Sequence, residues 1–436
     1  MSSIVEKMSA ALDTRAATVN EWTARYRGES QFVLLTQEQR DALKNRLSSL
    51  SINYGALAVD LLNERLRLIG FTIDGTPDLN LWERWADVGM LDGAQQVQRD
   101  ALATGQGFVS VWADEDGEPI ALPESASQCI VKRDPVSRRV VVGFKRWQAD
   151  GYGHAALYLP DQIQILKSQS HVPEGGYTAP NGWQTTSTIP NPLGRVPLLD
   201  VTNLGSVQDV YGVSELEGLR DLTDALQKVM VDAMLSSHET GTARRWATGL
   251  GTIQTDEDGA AEDPWADGTA TVQHESPDAK FGQFSPADLA GFDTLAGLIV
   301  RQIGALSGLS PQMLGLHADS AMSADAIRAA EASLVAKAEA RQRTFGRAWA
   351  QVAALLLAIR DGGDPKRFKV MPVWSDPATR SEAQAADAAV KLRQAGILST
   401  QGTLERLGMS PREIAQEQQR AAADMAMQVA SGQVSP

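Results

Sequence analysis

At 436 residues and 46.8 kDa the chain is too long for one core, and ~150 residues per domain gives about three units. A hydrophobic fraction of 43% with 22% charged residues is ordinary for a folded protein and excludes wholesale disorder, collagen-like repeats and a small disulfide scaffold. The formal net charge of −14 disfavours tight gripping of nucleic acid by the whole chain, because phosphate neutralisation needs a basic face.

Residues 1–105 read as mainly helical. Thr36 to Gln39 has the form of a capping box ahead of a helix to about Leu50. Amphipathic spacing predicts two more helices, over Tyr54–Leu66 and Leu79–Ala103. Gly105 and Gly107 end the pattern; with no third glycine at nucleotide-loop spacing, they mark a structural turn.

Residues 106–203 read as strands. Phe108–Trp112, Val140–Phe144, Ala155–Leu159 and Ile163–Leu166 are short β-rich runs. Turn signals at Asp116-Gly117, Asp134-Pro135, Asp150-Gly151 and Pro160-Asp161 separate them, which predicts an antiparallel meander. Residues 169–192, rich in Ser, Thr, Gly, Pro and Asn, read as a long loop.

Residues 204–322 read as helix, insert, helix. Ser214 to Glu217 fits a capping box, and Leu216, Leu219, Leu222, Leu226 and Met230 then trace one stripe to about Ser237. A second helix opens on Ser285-Pro286, carries Leu289, Phe292, Leu295, Leu298 and Ile299, and ends near Leu306. Between them, Thr252–Lys280 holds eight acids against one lysine. Its Asp256-Glu257-Asp258 lacks the alternating order and distal Glu of a calcium loop, so a solvated hairpin tip is the better reading. Arg245–Gly249 and Thr269–Val272 are the expected hairpin strands.

From the N-cap Ser323, nothing but Gly346 interrupts a helix over Ala324–Arg360, roughly 55 Å long if straight. Gly346 is the expected kink site. Residues 361–378 read as a Gly/Pro-rich connection around Phe368–Met371. The tail is helical again over Ser381–Ala395 and Thr400–Leu407, and Ser410-Pro411-Arg412-Glu413 caps a last helix.

No constellation in the chain carries catalysis. The single cysteine, Cys129, lies in an apolar run and reads as a buried small hydrophobe; one cysteine allows no intrachain disulfide and fits a reducing compartment. Five scattered histidines form no zinc spacing. P-loop, hydrolase-elbow and C-x-x-C patterns are absent. Met1–Gln31 lacks the apolar core of a signal peptide, and the longest apolar run, Ala353–Ile359, is too short for a membrane span. A soluble protein made in a cytoplasm, without cofactor or enzymatic activity, is expected.

The order of segments and the motifs at their joints carry a resemblance. Asn191-Pro192-Leu193-Gly194-Arg195-Val196-Pro197 leads to Asn203, and Tyr211-Gly212-Val213-Ser214-Glu215 opens the helix pair. Leu306-Ser307-Gly308-Leu309-Ser310-Pro311 and Ser320–Ile327 follow, then Ala395–Ser399, Leu407-Gly408 and Ser410–Glu413. Over about residues 30–420 the chain resembles the portal, or head–tail connector, proteins of tailed double-stranded DNA bacteriophages.

The resemblance implies an α+β, predominantly helical portal-type fold with wing, stem, clip and crown, assembled as a ring usually of twelve subunits. In that layout residues 1–212 are wing, 213–238 and 285–306 the stem helices, and 239–284 the clip. Residues 307–322 are the tunnel loop, 323–378 the long wing helix and its connection, and 379–436 the crown. The ring occupies one capsid vertex of the virion after assembly in the host cytoplasm, and double-stranded DNA passes through it without sequence readout. Implied partners are further copies of the chain, the large terminase, head–tail adaptors and the capsid or scaffolding protein; no membrane is involved. The stem positions are Arg220, Asp224 and Lys228. The clip positions facing motor and adaptor are Asp256, Glu257, Asp258, Asp263 and Trp265. The tunnel-loop positions beside DNA are His317, Asp319, Ser320 and Met322.

The charge balance is compatible with a channel that conducts duplex without clutching it: a ring multiplies the −14, and the four tunnel-loop positions include no Lys or Arg. Two other readings compete: a cytoplasmic enzyme holding a divalent metal at the acidic insert, and another phage head-morphogenesis protein.

Overall fold

The computed structural model describes residues 4–29, 52–172, 182–241, 245–249, 277–283, 289–316, 324–378 and 382–430. In chain order its elements open with α1 (Ile4–Arg27), α2 (Tyr54–Glu64), β1 (Leu68–Ile73), β2 (Thr76–Pro77), α3 (Leu79–Asp87) and α4 (Met90–Thr104). Next come β3 (Gln106–Ala113), β4 (Pro119–Glu124), β5 (Cys129–Arg133), β6 (Val140–Ala149), β7 (Tyr152–Tyr158), β8 (Gln162–His171), β9 (Trp183–Pro190) and β10 (Leu198–Thr202). The remainder is α5 (Arg220–Gly241), β11 (Arg245–Thr248), β12 (Lys280–Gln283), α6 (Ala290–Ser307), α7 (Ala324–Asp361), β13 (Val370–Trp374), α8 (Glu382–Gln394), α9 (Thr400–Arg406) and α10 (Pro411–Ala430). Among the described residues helical ones outnumber strand ones, an α+β and mainly helical content. It divides into two compact units, the larger of Met1–Gln31, Ser51–Thr223 and Gln302–Pro436, the smaller of Phe32–Leu50 and Asp224–Arg301.

In the larger unit α1 lies on a five-stranded antiparallel meander, β5-β6-β7-β8-β9. Its residues Val5, Met8 and Leu12, spaced three and four apart, pack on Ile130, Val142, Phe144, Ala155, Leu157 and Leu166. Farther along α1, Val19 joins a second core with Phe108, Cys129, Val131, Val196 and Leu198. The sequence places this terminus in a mainly helical region without bounding a helix there; the structure bounds it at Ile4–Arg27. The sequence also places the Phe108 strand in the meander; the structure puts β3 in a separate sheet, between β10 and β4, with Phe108 opposite Asp200 and Glu124. The expected loop over 169–192 contains the end of β8 and all of β9. That strand is polar because it is the edge of the meander, with nearly every residue exposed, so no alternation of apolar residues announces it.

Among the described residues, ion pairs with cations on β5 and β6 tie the meander to its surroundings. Arg133 donates to both carboxylate oxygens of Asp200, at 2.5 and 2.6 Å. Lys145 donates to Glu124 at 2.6 Å, and Arg146 pairs with Asp13 of α1. Asp200, Glu124 and Arg146 are buried, so each charge needs the partner it has.

Helix α7 is the spine of the larger unit. Its residues Ala353 to Ala358 are all buried, which accounts for the apolar run. It stays helical through Gly346. The glycine serves close approach: a Cβ there would sit 3.1 Å from Pro372 of β13. That strand, in the stretch read as a mere connection, pairs antiparallel with β1. Trp349 of α7 meets Trp85 edge-on with centroids 5.8 Å apart, and Trp85 meets Phe71 at 4.9 Å. The single helix expected over Leu79–Ala103 is broken into α3 and α4 at Gly89, which adopts φ +73°.

In the tail, Ser410 N–H donates to Glu413 Oε2 at 2.7 Å and Glu413 N–H to Ser410 Oγ at 3.3 Å, the reciprocal capping box that the sequence predicts.

The smaller unit holds most of α5, the β11–β12 hairpin and the first part of α6. The hairpin register pairs Arg245 with Gln283 and Thr248 with Lys280. Thus β11 is the expected strand but its partner is Lys280–Gln283; Thr269–Val272, the expected second strand, lies outside the described residues, as do the predicted helix after Thr36 and the caps Ser285 and Ser323.

Candidate functional site

The predicted positions that fall among the described residues, Arg220, Asp224 and Lys228, stand on α5, and the root of that helix is built from glycine contacts and a buried polar network. Gly105 ends α4 with φ +97°, and Gly212 precedes the root with φ +71°. They face each other: a Cβ on Gly212 would lie 2.3 Å from the Gly105 carbonyl oxygen and 2.8 Å from that of Asn203. The Gly105–Gly107 turn is therefore structural. Asn203, 2% exposed, is bound on both sides of this contact. Its N–H donates to Gly105 O at 2.9 Å, its carbonyl accepts from Val213 N–H at 2.9 Å, and its Nδ2 donates to Val213 O at 2.7 Å. Arg15 of α1 donates to Thr104 O at 2.6 Å and lies over the Tyr211 ring, 5.5 Å from its centroid; burial lowers its pKa from the ordinary guanidinium value.

Ser214 is not the start of a capping box. Its hydroxyl donates to Ala103 O and accepts from Leu216 N–H at 3.0 Å, and a 3-10 turn over Glu217–Leu219 intervenes before α5. Glu215 rather than Glu217 carries the charge chemistry. Its N–H donates to Leu102 O at 2.9 Å. Its Oε1 accepts from Arg341 Nη2 and Nε at 2.5 and 3.2 Å and from Asn203 Nδ2 at 3.1 Å. Lys337 stands 3.9 Å from Oε2 and donates to Leu306 O at 3.1 Å, so α7 also holds the end of α6. Sequence reading missed Arg15, Lys337 and Arg341; no local pattern links them to a root so far away in the chain.

Of the stem positions, Arg220 pairs with Asp221 at 3.2 Å on the surface, and Lys228 pairs with Asp232 one turn on. Asp224 is half-buried. Of the predicted stripe on α5, Leu216, Leu219 and Leu226 are buried, together with Val229 and Val231. On α6 the buried face is Ile299, Val300 and Ile303, whereas Leu289, Leu295, Leu298 and Leu306 are exposed.

The first half of the predicted tunnel loop is anchored. Leu309, Ser310 and Leu314 are buried, Leu316 N–H donates to Pro311 O at 2.9 Å, and Leu314 O accepts from the Tyr54 hydroxyl at 3.2 Å. His317, Asp319, Ser320 and Met322 lie outside the described residues, as do Asp256, Glu257, Asp258, Asp263 and Trp265. Among the described residues no group of three or more His, Cys, Asp or Glu side chains could hold a metal ion, and no helix is long and apolar enough to cross a membrane. Cys129, 1% exposed, has its thiol pushed well above the ordinary range by burial, with Glu124 adding to the shift.

Comparison with known proteins follows the same direction. Proteins named "Portal protein" from Mycobacterium phage L5 and Mycobacterium phage D29 are each 28% identical to the chain. The first match runs over 398 residues, covering 86% of this chain and 78% of the relative; the second runs over 361, covering 78% and 72%. A chain from the solved "Virion of native gene transfer agent (GTA) particle" is 14% identical with a TM-score of 0.46, and one from "Neck of empty GTA particle computed with C6 symmetry" is 16% identical with a TM-score of 0.48. Each covers 87% of this chain and 95% of the solved one. The family model described as "Phage portal protein, SPP1 Gp6-like" matches residues 6–430, nearly the whole chain, which therefore belongs to the phage portal protein family.

Proposed function

We propose that the chain builds the ring-shaped portal of a tailed phage, a channel at one capsid vertex through which double-stranded DNA is packaged and later ejected. The observation that carries this reading is the family match over residues 6–430. In this reading the larger unit supplies the wing and the crown, and α5 and α6 are the stem. Residues 239–284 are the clip, docking the terminase motor and then the tail adaptor through Asp256, Glu257, Asp258, Asp263 and Trp265. Twelve copies close the ring through a heterologous contact, in which one face of each subunit meets a different face of the next.

The root network gives the assembly its mechanics. Glu215, Arg341 and Lys337 hold the start of α5 and the end of α6 to one rigid helix, α7. The segment after Leu316 then leaves from an anchored base, with His317, Asp319, Ser320 and Met322 beside the duplex. Lacking Lys and Arg, they touch DNA weakly and read no sequence. The protein acts as a structural conduit, and chemistry belongs to its motor partner.

Lysines at the loop test this assignment. The double variant D319K/S320K is expected to assemble normally yet slow or stall DNA packaging in a defined in vitro reaction, because each added cation per subunit grips phosphate. Normal packaging by an assembled double variant would remove the loop from the channel wall.

A further inference from the structure

Strands β6, β7, β8 and β9 contain no Asp or Glu, although the chain carries 54 acids and a net charge of −14. They do carry Lys145, Arg146, His154, Lys167 and His171. Strand alternation sorts these residues between the two faces of the meander. Phe144 and Arg146 face α1, where Phe144 joins the first core and Arg146 pairs with Asp13. Lys145 and Trp147 therefore face the other way. Across the strands Trp147 is opposite His154 and His154 is opposite Lys167, so these side chains share the outer face.

They form two stacked sets. Trp147 stacks on His154 with centroids 5.7 Å and planes 19° apart, and the Lys145 ammonium lies 5.4 Å from the Trp147 centroid. Tyr152 lies 4.2 Å from His171, and the Lys167 ammonium stands 4.0 Å from the Tyr152 centroid. The backbone holds the second set in place. A register shift between Tyr152 and His154 brings His171 opposite Tyr152. Buried Ser168 fixes that shift: its Oγ accepts from Gly153 N–H at 2.9 Å and donates to Ser170 O at 2.7 Å. Gly151, at φ +72°, leaves room for the His171 ring, which a Cβ would meet at 2.8 Å. Irregularities of this kind re-aim side chains beside functional sites. His171 is exposed and the other members of the two sets are half-buried, so the surface is ordered yet open to solvent.

Its charge selects an acidic ligand, and its chemistry favours a peptide over a nucleic acid. Lys145 already pairs with Glu124, whereas Lys167 has no carboxylate partner among the described residues. Nucleic-acid affinity grows with the number of phosphates neutralised, and stacking of bases needs bare ring faces. Here one lysine is uncommitted, and both aromatic rings already lie against a histidine and a lysine. A carboxylate needs only one ammonium and a neighbouring N–H donor. An extended peptide lays same-side side chains about 7 Å apart along a sheet face.

We propose that the outer face of the meander, at Trp147, Tyr152, His154, Lys167 and His171, docks an extended acidic segment of a partner protein. The surface lies wholly within the larger unit, so the proposal does not depend on ring closure.

Fluorescence anisotropy on the full chain tests it, with a labelled octapeptide of alternating Glu and Thr as the probe. The peptide is expected to bind at low salt and to be released as salt is raised, and its Gln-for-Glu counterpart is expected not to bind. K167E is expected to weaken binding about tenfold or more, while K369E, at a lysine 82% exposed elsewhere in the larger unit, leaves it within about twofold. K167Q, which removes the charge without reversing it, should act in the same direction and keeps the test sound if K167E fails to fold. Absence of binding, or equal losses in K167E and K369E, would overturn the proposal. Tighter binding of an octathymidylate, also lost in K167E, would overturn it in favour of a nucleic-acid surface.

Discussion

Glu215, at the root of α5, accepts two hydrogen bonds on one carboxylate oxygen from Arg341, near the middle of the 38-residue α7. The Glu215 side chain is only 13% exposed, so the pair is largely shielded from solvent. Removing the guanidinium leaves a nearly buried carboxylate with Asn203 at 3.1 Å and Lys337 at 3.9 Å. R341A is therefore expected to cost about 2–3 kcal/mol in chemical denaturation of the subunit. R341K should recover only part of this, since an ammonium does not reproduce the fork of Nε and Nη2. A double-mutant cycle with E215Q should show coupling above about 1 kcal/mol; additive effects would mean the two residues act separately.

The glycine contact at the same root gives a second expectation. G212A places a methyl group 2.3 Å from the Gly105 carbonyl oxygen at a backbone φ of +71°. The strained conformation alone costs roughly 1–2 kcal/mol, and the overlap forces the β10–α5 connection to move. Denaturant midpoints should fall by more than for an alanine at the open Gly75, whose φ is also positive but whose Cβ meets nothing within 4 Å. Equal losses at both sites would show that the overlap is relieved at no cost.

Cys129 is predicted to be inert. Burial disfavours its thiolate, and a thiol-specific reagent should label the native chain negligibly over hours and stoichiometrically once denatured. Rapid labelling of the native chain would contradict the packing of the second core.

The capping box of α10 ties stability to pH. Hydrogen bonds from Ser410 hold the Glu413 carboxyl below its ordinary value of 4.5. A depressed folded value means the contribution is full above the unfolded pKa and is lost as pH falls through the folded one. S410A should cost about 1 kcal/mol of local helix stability at neutral pH. That difference should shrink in acid, read as amide hydrogen exchange over the first turns of α10.

How much of this was legible in the residues varies with the range of the interaction. The Ser410–Glu413 box is a four-residue signal, and the structure forms it as written. The buried end of α7 was visible as an apolar run without charge. The helical character of the N-terminal region is legible, but the bounds and buried stripe of α1 are not, because polar residues between Val5, Met8, Leu12, Val19 and Trp22 dilute the pattern. Strand β9 was missed because an exposed edge strand needs no apolar alternation. The pairing of β1 with β13, which sets Leu68 opposite Trp374, and the Glu215–Arg341 contact join residues far apart in the chain, and no local periodicity encodes either. The site was legible as an order of segments and joints; the atoms that brace its root were not.

The central claim is that identical copies close around an open axis. A class-averaged top view of the purified chain by electron microscopy measures this directly. The account predicts a closed ring with a central hole wide enough for a DNA duplex. Monomers or open filaments at every concentration, or a ring with a filled centre, would contradict it.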